Sequence, residues 1–244
     1  MTSPEITRKS WLMVAALGLV WGSTFMVIEV ALEGITPFWL AAGRIGFAAV
    51  ALLVLPLAHF MVPGEQLTLR KALGFGMGFA GVVVLIGGQA FQSTGASLET
   101  AGRFACITAA SCYALSSVLV RRLPAIDPIG LATVLLIVGA AIVIPSAWII
   151  EGPPPLPSGK TLAILAVLGL LPTAAANLLR IFVIRSAGPT FMSLTNYQVP
   201  IWSVLLGYVI LGEPLPASLL FALVLILAGV GLSQFGAIKR LFLT

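Results

Sequence analysis

Gly64-Glu65-Gln66-Leu67 and Gly212-Glu213-Pro214-Leu215 are two versions of one junction, and their surroundings decide how the fold is read. From each Gly-Glu the likeness runs on. Ala80-Gly81-Val82 answers Ala228-Gly229-Val230, and Gly88 answers Gly236, all at an offset of 148 residues. A weaker echo lies upstream, where Trp21-Gly22-Ser23-Thr24 and Tyr113-Ala114-Leu115-Ser116 hold similar places in similar apolar segments. The interval from echo to junction is 43 residues in the first copy (Trp21 to Gly64) and 99 in the second (Tyr113 to Gly212). The excess of 56 residues is about two membrane helices with their connections, since one span needs about 20 apolar residues. The sequence therefore reads as a duplicated membrane protein whose first half is two helices short.

Composition points the same way. The chain is 59% hydrophobic and 9% charged, with a mean hydropathy of +1.12. Too few charges are present to cover a water-facing surface. Apolar stretches of spanning length follow one another with short breaks. In lipid such stretches must be helices, because backbone groups there bond within their own segment. The expected fold is all-α and polytopic, with about eight transmembrane helices over 11–32, 37–61, 69–90, 103–120, 128–150, 161–184, 190–211 and 215–236. The longest gaps, around 91–102 and 151–160, leave no room for a soluble catalytic or nucleic-acid-binding domain.

Arg8 and Lys9 precede an apolar run of about 22 residues, too long for a signal peptide's core, so it reads as a retained first helix. With a cytoplasmic N-terminus, Arg8, Lys9, Arg70, Lys71, Arg121, Arg122, Arg180, Arg185, Lys239 and Arg240 collect on the inner side. The outer side receives Arg103 and Lys160, while Arg44 lies within a span. This asymmetry predicts both termini in the cytoplasm, and it accounts for the net charge of +5 without an anionic partner. Cys106 and Cys112, six residues apart on one span, suit neither a disulfide nor a metal and read as packing residues.

The repeats divide the chain into a shortened three-helix first half, 1–90, and a complete five-helix second half, 103–236. An odd number of spans per complete repeat inserts the halves in opposite senses, and inverted repeats place a site near mid-bilayer between them. Several motifs together resemble the EamA-type drug/metabolite transporter superfamily. They are Trp21-Gly22-Ser23-Thr24-Phe25, Arg44 within Ala42-Gly43-Arg44-Ile45-Gly46-Phe47, both Gly-Glu junctions, and Gly188-Pro189-Thr190-Phe191 through Asn196-Tyr197-Gln198-Val199-Pro200. The resemblance implies an inner-membrane exporter derived from two five-helix repeats, with substrates among small metabolites, amino acids or drugs. This chain departs from that pattern between about Pro56 and Pro63, where the third and fourth helices are missing.

Candidate site residues are polar groups at membrane depth, which are expensive unless paired or facing a wet cavity. In the span 190–211, Pro200 cannot donate to the Asn196 carbonyl. Asn196, Tyr197 and Gln198 add donors and acceptors beside that carbonyl, and Trp202 adds an aromatic face. The cluster reads as a substrate-contacting kink, or as a packing kink whose amides bond neighbouring helices for about 0.6 kcal/mol each. Asn177 and Arg180 share a helical face about a turn after Pro172. Arg180 reads chiefly as an arginine snorkelling to the cytoplasmic surface, with anion binding as the alternative. Glu29 and Arg44 face each other across the outer hairpin as an ion pair, or Glu29 serves as a proton carrier. Trp21 and Ser23 are further candidate contacts in span one, where Gly18 and Gly22 have the spacing that lets helices approach closely.

No metal or cofactor site is expected. His59 stands alone, no HExxH or Ser/His/Asp set can be assembled, and the glycines of the third span follow no strand, so enzyme activity is not expected. The expected partners are the lipid bilayer and a small-molecule substrate. A competing reading is a non-transporting degenerate remnant or a helix-packing partner of another membrane protein. A homodimer is one arrangement that closes the side left open by the missing helices.

Overall fold

The structure, a computed structural model, describes residues 6–32, 60–62, 66–86, 99–151, 159–215 and 217–242. Every regular element among them is helical: α1 (Arg8–Leu32), α2 (Leu69–Ile86), α3 (Glu99–Arg122), α4 (Pro128–Glu151), α5 (Gly159–Leu168), α6 (Ala176–Ala187), α7 (Pro189–Met192), α8 (Thr195–Leu206), α9 (Leu219–Ser233) and α10 (Phe235–Phe242). Two π-helical segments, Gly169–Ala175 and Gly207–Leu211, join α5 to α6 and extend α8. Each expected span on described residues meets a helix. The span expected over 37–61 lies almost wholly outside the described residues, as do the first Gly-Glu junction, His59, Arg44 and the Glu29 side chain. By length and apolarity, two described stretches are able to cross a membrane, Ala166–Ala187 and Pro189–Leu211.

Two expected spans are broken where a single helix was expected. The break in 190–211 falls at Ser193–Leu194, just ahead of Asn196 and nearly two turns before Pro200. A proline ring crowds the carbonyl four residues back and cannot donate to it, so the disturbance is passed to the preceding turn. That turn is tightened by i→i−3 bonds: Leu194 N donates to Phe191 O (3.2 Å), Asn196 N to Ser193 O (3.1 Å) and Tyr197 N to Leu194 O (3.2 Å). The second Gly-Glu junction closes the π segment that extends α8. Gly212 adopts φ 71°, a left-handed helix stop suited to glycine, and Glu213 N donates back to Gly207 O (3.2 Å).

α2 and α9 form an intimate antiparallel pair because small residues line both faces. A Cβ added to Gly74 would lie 2.5 Å from Gly229 O and 2.6 Å from Ser233 N; one added to Gly81 would lie 2.6 Å from Ile226 Cγ1 and 2.9 Å from Ala222 O. These contacts are reciprocal at the offset of 148. Gly81 meets Ala222, and their counterparts Gly229 and Gly74 meet each other. Such exchange of equivalent partners is what a two-fold axis generates. α1 approaches α8 in the same manner, with Gly18 set against Gln198 and Gly22 against Trp202 and the Val199 carbonyl.

Tyr197, Phe75, Phe191, Leu17, Ile181, Ile184 and Leu194 are fully buried. Polar residues join them inside, among them Ser193, Thr195, Asn196, Ser203 and Arg180. The outer faces are apolar instead. Ile137 and Ile142 on α4, and Leu220, Phe221, Val224 and Leu227 on α9, are exposed. A helix apolar on all sides, with polar groups turned inward, suits a surrounding of lipid.

The start of α4 carries a clear capping signal. Asp127 Oδ2 accepts from Gly130 N (2.6 Å), with Pro128 at the first helical position. Asp127→Ala is expected to cost about 1 kcal/mol, read as a small fall in the melting temperature of the detergent-solubilised protein.

Candidate functional site

The site is built where α1, α3 and α6 meet. The π segment before α6 contains Pro172. Ala176 N bonds Leu171 O and Thr173 O and so passes over the Pro172 carbonyl. Trp21 of α1 reaches that carbonyl, with Nε1 donating at 3.1 Å. π segments of this kind are often found at functional positions, because they put main-chain groups out of the helical pattern. The Trp21 ring also meets Tyr113 of α3 edge-on, with centroids 6.0 Å apart and planes at 74°. Trp21 and Tyr113 are the two residues whose sequence surroundings echo one another.

Tyr113 also meets Arg180 of α6. Its guanidinium carbon stands 4.3 Å from the Tyr113 ring centroid, a cation–π contact. Nη2 donates to Ser117 Oγ (2.7 Å), with Ser116 Oγ at 3.4 Å and Tyr113 O at 3.5 Å. Nε is buried with no partner. The expected snorkelling is therefore corrected: Arg180 is 3% exposed and turned onto α3. Packing against the serines and the tyrosine ring holds it inward. Asp127 caps α4 and Glu213 folds back against Gly207, so neither of these described carboxylates neutralises it.

The other expected contacts are distributed around this junction. Pro200 lies within α8, and Asn196 is 3% exposed with a buried Oδ1 that has no partner. Gln198 and Trp202 face α1 at Gly18 and Gly22. Ser23 Oγ donates to Val20 O (2.8 Å) of its own helix. Asn177 is half-buried one turn before Arg180. Tyr197 turns to α2, where its hydroxyl donates to Phe75 O (2.7 Å), its ring meets Phe75 at 5.7 Å and Gly78 packs against it. Tyr113, Ser116 and Ser117 were absent from the sequence-derived set. The signal that could have found them was the echo of Trp21-Gly22-Ser23-Thr24 at Tyr113.

The profile of the EamA-like transporter family matches residues 100–234, more than half of the chain. The chain belongs to that family. EamA-like membership makes the helical bundle a membrane fold and the chain a membrane transporter of the drug/metabolite kind. The matched stretch runs from the start of α3 to just beyond α9, and so contains Tyr113, the two serines and Arg180. A solved structure titled only "Crystal structure of protein" is similar over 94% of this chain and 88% of its own. Its identity is 22% and its TM-score 0.67, a likeness of fold. No curated protein matches the chain.

Two further arginines brace this EamA-like bundle at the end of α3. Arg185 Nη2 donates to Pro124 O (2.6 Å), and Arg121 Nη1 donates to the Arg185 carbonyl. Cations at helix C-termini are favourably placed against the helix dipole.

Proposed function

We propose that this chain exports a small metabolite, amino acid or drug across the inner membrane by alternating access. The observation that carries this reading is the Trp21–Pro172 bond, which joins α1 to a helix interrupted at its π segment. Interrupted helices between inverted repeats form the substrate sites of secondary transporters. The buried, unpartnered Asn196 Oδ1 supports a site beside the broken α7–α8 segment. The substrate would touch Trp21, Asn196, Gln198 and Trp202, with Ser23, Asn177 and Tyr197 in supporting positions and Glu29–Arg44 as an ion pair.

The reciprocal contacts of α2 and α9 support an inverted repeat with its axis near Gly78 and Ile226. Eight spans with both termini cytoplasmic, the first repeat lacking two helices, complete the proposal. In right-side-out vesicles, single cysteines placed after Phe242 and near Asp127 should react only once the membrane is opened.

The 56-residue difference between the repeats favours a second reading, a remnant or packing partner that moves nothing. Export separates the two. In cells loaded with a panel of labelled metabolites, expression should lower the retention of at least one compound. Trp21→Ala and Asn196→Ala should each reduce that efflux about tenfold or more, the effect of losing one or two well-made contacts. If no compound leaves faster with the wild-type chain than with an empty vector, the second reading replaces the first.

A further inference from the structure

We propose that Arg180 is the anchor for a monocarboxylate, so that the cargo of this chain carries one carboxylate group. This deepens the export reading and rests on it for the word cargo, but the anion site itself does not.

Arg180 is 3% exposed, bears a guanidinium cation, and is set in a helix that is long and apolar enough to cross a membrane. A charge in such a place is costly and is ordinarily paired. Its partners among the described residues are neutral: the Ser116 and Ser117 hydroxyls, the Tyr113 carbonyl and the Tyr113 ring. All three hydrogen-bond contacts fall on Nη2. Nε has no partner, and no bond within the described residues engages Nη1.

The guanidinium is thus held at one end and against one face while other donors stay uncommitted. That arrangement fixes the plane of the fork and leaves it able to receive an oxyanion. Planar, paired recognition of carboxylate is what arginine offers over lysine.

The number of charges narrows the ligand. Arg121 and Arg185 are the next cations along α3 and α6, and both are drawn to main-chain carbonyls at the helix ends. Among the described residues Arg180 is the one buried cation, while Arg185, which also keeps a donor without a partner, is only half-buried; a single buried cation balances one negative charge. A monocarboxylate meets that condition, whereas a phosphate ester with nearly two charges would keep an excess of negative charge in a low-dielectric site. Trp21, edge-on to Tyr113, and its bond to Pro172 O link the anion position to the broken helix. Binding at Arg180 would therefore be felt at the interrupted helix.

The test uses the full chain purified in detergent, with acetate, hexanoate and benzoate as probes and hexanamide and benzamide as neutral counterparts. Phenyl phosphate is the alternative oxyanion. Affinity is read from the rise in melting temperature with ligand concentration.

At least one carboxylate should stabilise the wild type while its amide does not. Arg180→Gln should weaken that carboxylate roughly tenfold or more, the usual worth of a charge-assisted hydrogen bond. Arg180→Lys, which keeps the charge and loses the fork, should weaken it less; it also serves if the glutamine variant fails to fold. Ser117→Ala should leave the neutral amides without effect while altering the carboxylate response.

The proposal is overturned if no carboxylate stabilises the wild type, if amide and acid act alike, or if both Arg180 variants respond as the wild type does. Stabilisation by phenyl phosphate alone would overturn the monocarboxylate assignment. Arg180-dependent carboxylate binding in a chain that exports nothing would sink the transport reading and leave this site standing.

Discussion

Gly229→Leu is expected to unseat α2 from α9. A side chain at Gly229 would start against the Gly74 carbonyl and 2.7 Å from Gly78 N, both main-chain atoms that cannot swing aside. Overpacking costs about 1–3 kcal/mol where neighbours can yield, and here the helices themselves must separate. About 3 kcal/mol corresponds to a fall of roughly 6–12 °C in melting temperature for a chain of this size. Gly231→Leu on the same helix is the control, since nothing lies within 4 Å of its added Cβ. Heating series followed by size exclusion in detergent would compare them. Equal melting temperatures for the two variants would mean that α2 and α9 do not pack in this register. Gly81→Leu tests the reciprocity, because Gly81 stands to Ala222 as Gly229 stands to Gly74. It too should destabilise, though less, since part of its obstruction is the Ile226 side chain.

Tyr197→Ala should be as damaging for a different reason. Tyr197 is the largest fully buried side chain described, and it fills the space between α8 and the Phe75–Gly78 face of α2. Truncating a buried aromatic ring to alanine costs about 3–5 kcal/mol through lost burial and the cavity left behind. Tyr197→Phe keeps the ring and removes the bond to Phe75 O. Its cost should be nearer 1 kcal/mol, because that carbonyl belongs to a helix and is not stranded. Export per folded molecule then separates structure from substrate contact. The phenylalanine variant should transport as the wild type does. Normal stability with lost export would instead assign the hydroxyl to the substrate.

The reasons for success and failure in reading the sequence are visible at particular residues. Gly18 and Gly22 announced a close helix contact because only small side chains permit one, and the contact partner proved to be α8. Pro172 announced a break in its helix, since it lacks the donor a regular turn requires, and a π segment forms there. Pro200 announced a break as well, but the fault appears nearly two turns earlier, at Ser193–Leu194, just ahead of the crowded Asn196 carbonyl. α10 was not foreseen. Eight residues that include Lys239 and Arg240 are too short and too charged to read as a span.

The direction of a long side chain was the least legible property. Arg180 near the end of a span has two outlets, the membrane surface and a neighbouring helix, and local sequence does not choose between them. Ser117 and Tyr113, sixty-three and sixty-seven positions away, make the choice. Tyr197 and Gln198 are likewise adjacent in sequence but serve different neighbours, α2 and α1, because successive residues on a helix point about 100° apart.

What the sequence determined by itself was the class, all-helical and made for lipid, and the family, because composition and short motifs are local properties of the chain. The tertiary structure alone decided which echo meets which: Trp21 against Tyr113, Gly81 against Ala222, Arg180 against Ser117. Those pairings join residues tens to more than a hundred positions apart. They depend on how the helices are turned about their axes, which packing against every neighbour fixes at once.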